Sequence, residues 1–590
     1  MLFHTLPFFV FFAVLYPIYL LTRETRLRLP LLLAASYVFY AWLSPLYLLP
    51  LAYATVADYL IARQMIQSRR PKAWLALSIA NSLAVLGFFK YGAFIANNIN
   101  SVLSTAGLAY AIHVPTSLLP AGLSFFLLQS IGYVIDVHRG TVQREKSFLT
   151  HAAFVSFFPR LLAGPIERAG HLLPQLRTSV PVSLRDFTDG LSIFVVGYFK
   201  KVALADYLAL YVAKVYATPG EFRAPALILA TFLFAWQIYF DFSGYTDMAR
   251  GIARMMGIRL MLNFNNPYLA TSMGDFWKRW HISLSSWFRD YVYIPLGGNR
   301  KGKLATYRNL FATMVLSGLW HGAAWTFVLW GVVHALGNFA TRELERNWVP
   351  RGVKVLIVPP CTWFFVMFAW VFFRSESIGA AGTIVARTFT SGLDNPYCPL
   401  LALALIAAVW AYQYGFESAF QGRAPVQSPH GSLLDHATRG LFFRRRMGRL
   451  LFFVNWVGMI ILFIVLRVWA DESESSLPAL VAILQLVYWI NCCVRRLHDL
   501  GVSGWYVLLQ FVPLVNLLAF WSMLFRRSSW EEISSSALQF RGAAHPHPSA
   551  SRAQYVLASR IVRVGLVIAM LVYMILTVGG EGQQFIYMQF

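Results

Sequence analysis

Predominantly apolar stretches close to the ~20 residues that carry a helix across a bilayer recur from Leu2 to Thr577. Residues 2–21, 73–89, 224–240, 355–373 and 451–466 are examples. A backbone crossing hydrocarbon must satisfy its own N–H and C=O groups, so repetition on this scale predicts a bundle of transmembrane helices. The length rule yields roughly thirteen to fifteen such segments. With 58% hydrophobic and only 13% charged residues, the chain has too little polar surface to cover a soluble globule of its length. The fold class is therefore an all-α polytopic membrane protein. Residues 2–21 lack a basic n-region and a small-residue cleavage site, so they read as a retained first helix and not a signal peptide.

The formal net charge of +24 raises the question of nucleic-acid binding, but the basic residues are dispersed through short loops between apolar segments. Topology accounts for them better, and no nucleic-acid partner is expected. By the positive-inside rule Arg23, Arg26 and Arg28 place the first loop in the cytoplasm, and Arg63, Arg69, Arg70 and Lys72 do the same for the third. The amino terminus is then predicted to face outward. The four cysteines offer neither a disulfide framework nor metal-ligand spacing, and no metal site is expected.

Composition also divides the chain. Residues 1–420 form a main helical body, 421–447 a polar and basic linker, and 448–527 a second apolar block. A further linker at 528–554 precedes a terminal span and tail at 555–590.

Within the apolar run "MVLSGLWHGAAWTFVLWGVV" (314–333) stands His321, beside Trp320. An ionisable side chain inside a span is costly, so it is a functional hypothesis by default, although a lone buried histidine is often a packing residue. Gly318, Gly322, Ala323 and Ala324 would let another helix or a substrate approach the backbone. His334, nearer the polar end of the same segment, reads as packing.

The segment "GDFWKRWHISLSSWFRDYVYIPLGGNRKGK" (274–303) is too charged to cross a membrane, yet its aromatics are ordered. Plotted as one helix, Trp277, Trp280, Leu284, Trp287, Phe288 and Tyr291 fall on a single stripe, opposite Asp275, Lys278, Arg279, Arg289 and Asp290. It is expected to be an amphipathic helix at or dipping into the membrane interface, with His281 at the edge of the aromatic stripe. His281 reads equally as a capping or interfacial residue. In "WQIYFDFSGYTDMARGIARMMGI" (236–258) Asp241 and Asp247 suggest either a metal or proton site or, as the better reading, ion pairing within a helix broken at Ser243 and Gly244. The prolines and glycines of "FFPRLLAGPIERAGHLLPQL" (157–176) suggest a re-entrant segment, with Arg160 and Arg168 as pocket or interface charges.

These motifs together resemble the membrane-bound O-acyltransferases, and most of all their alginate O-acetyltransferase branch, which also includes relatives that D-alanylate teichoic acids. Further matching stretches are "LPAGLSFFLLQSIGYVIDVHRG" (119–140), "GYFKKVALAD" (197–206), "NFNNPY" (263–268), "WVFFR" (370–374) and the terminal "FIYMQF". The resemblance spans about 1–416 and 555–590. It implies a ring of tilted transmembrane helices, with re-entrant and interfacial helices around a central tunnel, and it makes His281 and His321 the signature pair, His321 being catalytic. Acyl transfer to a hydroxyl needs a base, and imidazole has an unperturbed pKa near neutrality. No Ser or Cys lies beside His321 in sequence as an acyl-enzyme nucleophile, which favours direct transfer. Trp320, Trp280 and Asn265 are candidate substrate-binding residues, and Lys278, Arg279, Arg289 and Arg300, with Lys301 and Lys303, are candidates for holding the phosphates of a CoA donor.

The block at 448–527 departs from that family; "RRLHDLGVSGWYVLL" and "FVPLVNLL" resemble a small bacterial membrane domain of unknown function. Its "RRLHD" (495–499) is an interfacial charge cluster or a partner-binding site. The expected activity is acetyl transfer from acetyl-CoA, with no bound cofactor, across a bacterial inner membrane for O-acetylation of an exopolysaccharide such as alginate. Expected partners are the lipid bilayer, the acyl-CoA donor, the exopolysaccharide and a periplasmic or membrane-anchored acetyltransferase. D-alanyl or other acyl transfer to an envelope polymer is the alternative. A transporter or flippase with His321 as a proton relay is the competing class, but no inverted pair of broken helices supports it.

Overall fold

Residues 6–22 are apolar on every face, and they form helix α1 (Leu6–Thr22) with two different environments for its two sides. Phe8, Leu15 and Tyr19 are buried, whereas Leu6, Val10, Val14, Ile18 and Leu21 recur every third or fourth position and are exposed. An exposed aliphatic stripe of this kind is stable only against lipid. The computed structural model describes residues 1–413 apart from 109, 114–118, 180, 347–350, 395–398 and scattered positions between 400 and 412. The block at 448–527, both linkers and the terminal span lie outside the described residues.

After α1 come α2 (Arg28–Ala41), α3 (Leu48–Gln67), α4 (Pro71–Leu86), α5 (Gly92–Thr105), α6 (Leu123–His138), α7 (Phe148–Ser156), α8 (Phe158–Leu161) and α9 (Ala169–Arg177). Next are α10 (Leu184–Phe199), α11 (Asp206–Ala217), α12 (Ala224–Met255), α13 (Met273–Arg279) and α14 (Ile282–Phe288). They are followed by α15 (Gly302–His321), α16 (Trp325–Arg346), α17 (Arg351–Arg374) and α18 (Ile378–Thr390). No strand occurs among the described residues. Four helical runs there are long and apolar enough to cross a membrane: Pro45–Gln67, Pro71–Thr105, Ala224–Met255 and Ile357–Arg374. Leu6–Thr22, Arg28–Ala41 and Leu123–His138 are apolar but shorter. The protein is thus a multi-pass membrane protein, all-helical among the described residues.

Wide π turns at Gly87–Tyr91 and Lys200–Ala205 join helices without a loop, and a third at Arg289–Tyr293 extends α14 into the turn that leads to α15. The first carries the apolar stretch 73–89 onward into α5 as one run.

At the centre lies α12, buried along almost its whole length. It is continuous through Ser243 and Gly244, so the break expected there does not occur. Gly244 serves a different purpose. A Cβ built on it would stand 2.7 Å from the Gly197 carbonyl oxygen, and one on Gly197 would stand 2.5 Å from that of Gly244. Gly190 and Gly251 repeat the reciprocal contact one step along, at 2.6 Å each way. Two glycine pairs therefore let α10 and α12 run antiparallel in backbone contact, the packing that small residues permit in a membrane.

Alanine at Gly197 or Gly251 gains at most about 1 kcal/mol in helix propensity. Overpacking against rigid backbone costs about 1–3 kcal/mol, so the net effect is destabilising. Gly197→Ala is expected to lower the thermal unfolding midpoint in detergent, while Gly220→Ala, where a Cβ meets nothing within 4 Å, leaves it in place. Equal midpoints for the two variants would remove the glycine crossing as a determinant of the fold.

One charge departs from its expected place. Arg28 is buried at the start of α2 and donates a hydrogen bond to the Leu176 carbonyl, where the charge pattern reads it as a loop residue.

Candidate active site

The segment expected to be one amphipathic helix is two helices. Backbone pairing of α13 stops at Trp280, whose N–H donates to the Phe276 carbonyl at 2.8 Å, and the next residue turns left-handed. That residue is His281, with φ 43°, a conformation for which histidine is more tolerant than most side chains. The polar groups exposed by the break are taken up by the motif 263–268. The Ile282 N–H donates to the Asn263 carbonyl at 2.9 Å, and the Ser283 hydroxyl donates to Asn263 Oδ1 at 2.9 Å. The Asn265 N–H donates to the Arg279 carbonyl at 2.9 Å. Asn263 is buried and fixes the break, whereas Asn265, the sequence candidate, is exposed and contributes its backbone here.

The break turns the His281 ring inward, fully buried, to meet the last residue of α15. That residue is His321, also buried, and the two ring centroids are 6.3 Å apart. His281 packs edge-on to Phe242 of α12 at 4.7 Å. His321 packs edge-on to Trp330 of α16 at 4.9 Å and to Phe373 of α17 at 5.4 Å. Trp320 lies 5.9 Å from the His281 ring and 5.2 Å from Phe125 of α6. Five helices and the break thus place two imidazoles in an aromatic surround.

Small residues hold α15 where it is. A Cβ on Gly318 would stand 2.2 Å from the Phe327 carbonyl oxygen, and one on Gly331 would stand 2.5 Å from that of Met314. The expectation that glycines beside His321 admit a second helix is met by α16. His334 is buried with its ring 4.4 Å from that of Trp330, in keeping with a packing role.

The carboxyl end of α15 is secured from the π turn at Gly87–Tyr91. Lys90 Nζ donates to the Trp320 carbonyl at 2.7 Å and to the His321 carbonyl at 2.9 Å. The Tyr91 hydroxyl donates to the Leu319 carbonyl at 2.7 Å. Lys90 and Tyr91 were not sequence candidates. The signal was available: a lysine in "GFFKYG", within the apolar run 71–105, falls under the same rule that singled out His321.

The other candidates lie elsewhere. Trp280 is fully buried among Phe264, Phe276 and Trp370. Lys278, Arg289, Arg300, Lys301 and Lys303 are exposed, and Arg279 is half-buried and pairs with Asp275 at 2.9 Å. Arg289 pairs with Asp290 at 2.7 Å, and Lys303 with Glu343 at 2.8 Å. Asp290 also receives Arg168 at 2.9 Å, while Arg168 and Arg139 lie over the Tyr291 ring at 4.4 and 5.3 Å. Burial keeps the Tyr291 phenol above its usual range, so it stays protonated beside Asp136. On α9 a hydrogen bond with the Glu167 carboxylate raises the His171 pKa.

Arg160, fully buried, donates to the carbonyls of Phe154 and Val155 at the end of α7. Asp241 and Asp247 pair with Lys201 at 2.7 Å and Lys200 at 2.8 Å, so the expected ion pairing occurs, but from an unbroken α12 to the π turn that follows α10 and not within one broken helix. No group of three or more metal-ligating side chains occurs among the described residues.

A family profile described as MBOAT, membrane-bound O-acyltransferase family, matches residues 142–378, the interval that contains both histidines. A protein named "Probable alginate O-acetylase AlgI" from Pseudomonas syringae pv. tomato is 41% identical over 390 residues, covering 65% of this chain and 74% of its own length. The chain belongs to the membrane-bound O-acyltransferase family. A peptidoglycan O-acetyltransferase from Helicobacter pylori is 37% identical over 397 residues, 59% of this chain and 71% of that protein. A teichoic acid D-alanyltransferase from Bacillus subtilis is 26% identical over 283 residues, 45% of this chain and 71% of that protein. As a member of this family the protein is an O-acyltransferase that uses an acyl donor in a lipid bilayer. A second profile, a protein of unknown function (DUF805), matches residues 440–533, in keeping with the foreign block read at 448–527.

Proposed function

We propose that this O-acyltransferase takes an acetyl group from acetyl-CoA on the cytoplasmic side of a bacterial inner membrane and passes it outward for O-acetylation of an exopolysaccharide such as alginate. The observation that carries the reading is the convergence of His281, at the break between α13 and α14, and His321, at the end of α15, in one apolar aromatic surround. Excluding water strengthens electrostatic interactions there and suppresses hydrolysis of the thioester. His321 accepts the proton of the acceptor hydroxyl as its oxygen bonds to the acyl carbon. The C–S bond breaks, and the proton passes from His321 to the departing thiolate, which restores the neutral imidazole. His281 positions the donor. The relatives named for O-acetylation align at higher identity than the D-alanyltransferases, which supports acetyl over D-alanyl. The acceptor is the polysaccharide itself or a periplasmic or membrane-anchored acetyltransferase partner, and the amino terminus faces the periplasm. Residues 1–420 and 555–590 form the enzyme, with the block at 448–527 inserted.

The purified protein in vesicles, given radiolabelled acetyl-CoA, is expected to consume the thioester in a manner that depends on His321. Solute movement without thioester consumption, or use of a D-alanyl thioester in its place, would overturn the reading.

The exposed cations Arg300, Lys301 and Lys303, with Lys278, Arg279 and Arg289, hold the CoA phosphates. Charge-neutralising Arg300, Lys301 and Lys303 together is expected to raise the KM for acetyl-CoA roughly tenfold and leave kcat nearly unchanged, because such contacts bind ground and transition states alike. An unchanged KM would leave these cations to topology and anionic headgroups.

A further inference from the structure

Helix α15 ends inside the protein at the residue assigned as the base. Its last four carbonyls, of residues 318–321, have no further helical N–H to accept from except through Gly322, whose N–H reaches the Gly318 oxygen at 3.3 Å. The other three are served by two side chains from one π turn: Tyr91 on Leu319, and Lys90 on both Trp320 and His321. In a membrane interior no bulk water substitutes for such donors. Lys90 Nζ, 5.9 Å from the Trp320 ring centroid, therefore fixes the backbone of the two residues that form one wall of the histidine site. The His321 carbonyl bond is the closest control, because it ties Lys90 to the residue that carries the imidazole. π turns of this kind are frequent at functional sites.

We infer that Lys90, aided by Tyr91, is a positioning residue for His321: the π turn clamps the end of α15 and so sets the angle at which the imidazole meets the acceptor hydroxyl. This rests on the assignment of His321 as the base. It predicts an effect on the chemical step without one on donor binding, since misplacing a reacting group by about 1 Å can cost 10²-fold.

The test uses the full chain in vesicles with acetyl-CoA. Lys90→Met is expected to lower kcat at least tenfold with the KM for acetyl-CoA unchanged, Lys90→Arg to recover most of the loss, and Tyr91→Phe to lower kcat about threefold. Where His321→Ala has removed the base, adding Lys90→Met is expected to have no further effect on residual transfer, because residues acting as a unit are non-additive. A Lys90→Met protein that keeps wild-type kcat, or a double variant in which both factors multiply, overturns the positioning role. If Lys90→Met does not stay monodisperse, Tyr91→Phe decides, and unchanged kcat in it overturns the proposal. Full activity in His321→Ala alone would instead reject the catalytic assignment, whatever the Lys90 variants do.

Discussion

Replacing His321 with Ala or Gln is expected to lower acyl transfer about 10²–10⁴-fold, the range for loss of a general base. The two variants separate chemistry from packing. Alanine leaves a void between Trp320, Trp330 and Phe373, and large-to-small substitutions at such sites cost stability as well as activity. Glutamine keeps most of the volume and a hydrogen-bonding end but cannot act as a base near neutral pH. Similar losses in both, with the KM for acetyl-CoA little changed, identify the missing proton acceptor. At His281 the backbone limits the choice: its φ of 43° favours asparagine over alanine as the replacement. His281→Asn is expected to be damaging with weaker donor binding as part of its effect. Both proteins must insert and remain monodisperse in detergent before rates are compared. Substantial activity in a well-folded His321→Ala protein would return that histidine to the class of packing residues.

Much of this site was legible in the sequence because each element carries a rule that needs no tertiary information. An imidazole in an apolar run flanked by glycines is such a case, and Gly318 does admit a neighbouring helix. The membrane class follows from run length and composition together. The single helix expected over 274–291 fails at Trp280–His281 because periodicity cannot register a left-handed residue. All six residues plotted on the aromatic stripe are buried or half-buried whether or not the helix is continuous. The partner that makes the break possible, Asn263, lies in another motif, and its side chain is matched to Ser283 only by the fold. Asn263 and Asn265, two positions apart, look alike in the sequence until burial separates them. The role of Lys90 is hidden for a related reason. A lysine near the end of an apolar stretch reads as a topology charge, and only the helix end it meets shows otherwise.

Lys201→Met is expected to destabilise the protein by about 3–5 kcal/mol, the cost of leaving one member of a buried pair without its counter-charge. Lys201 lies at the π turn between α10 and α11, with Nζ 2.7 Å from Asp241 and 2.8 Å from Asp206. Asp241 is buried on the face of α12 that the glycine crossing brings against α10, so water cannot replace the lost ammonium. Asp206 is partly exposed and bears the change more easily. Removing both charges of the dry pair, as Lys201→Met with Asp241→Leu, is expected to restore most of the midpoint, because apolar groups of similar size often match or exceed a buried ion pair in stability. This non-additivity distinguishes the two roles open to an acidic residue inside a membrane. If Asp241 only balances Lys201, the double variant regains stability and transfers acyl groups at nearly the wild-type rate per folded molecule. If the carboxylate moves a proton, the double variant is stable and inactive. A midpoint as low in the double variant as in Lys201→Met would show that the cost comes from packing around the π turn and not from the unpaired charge.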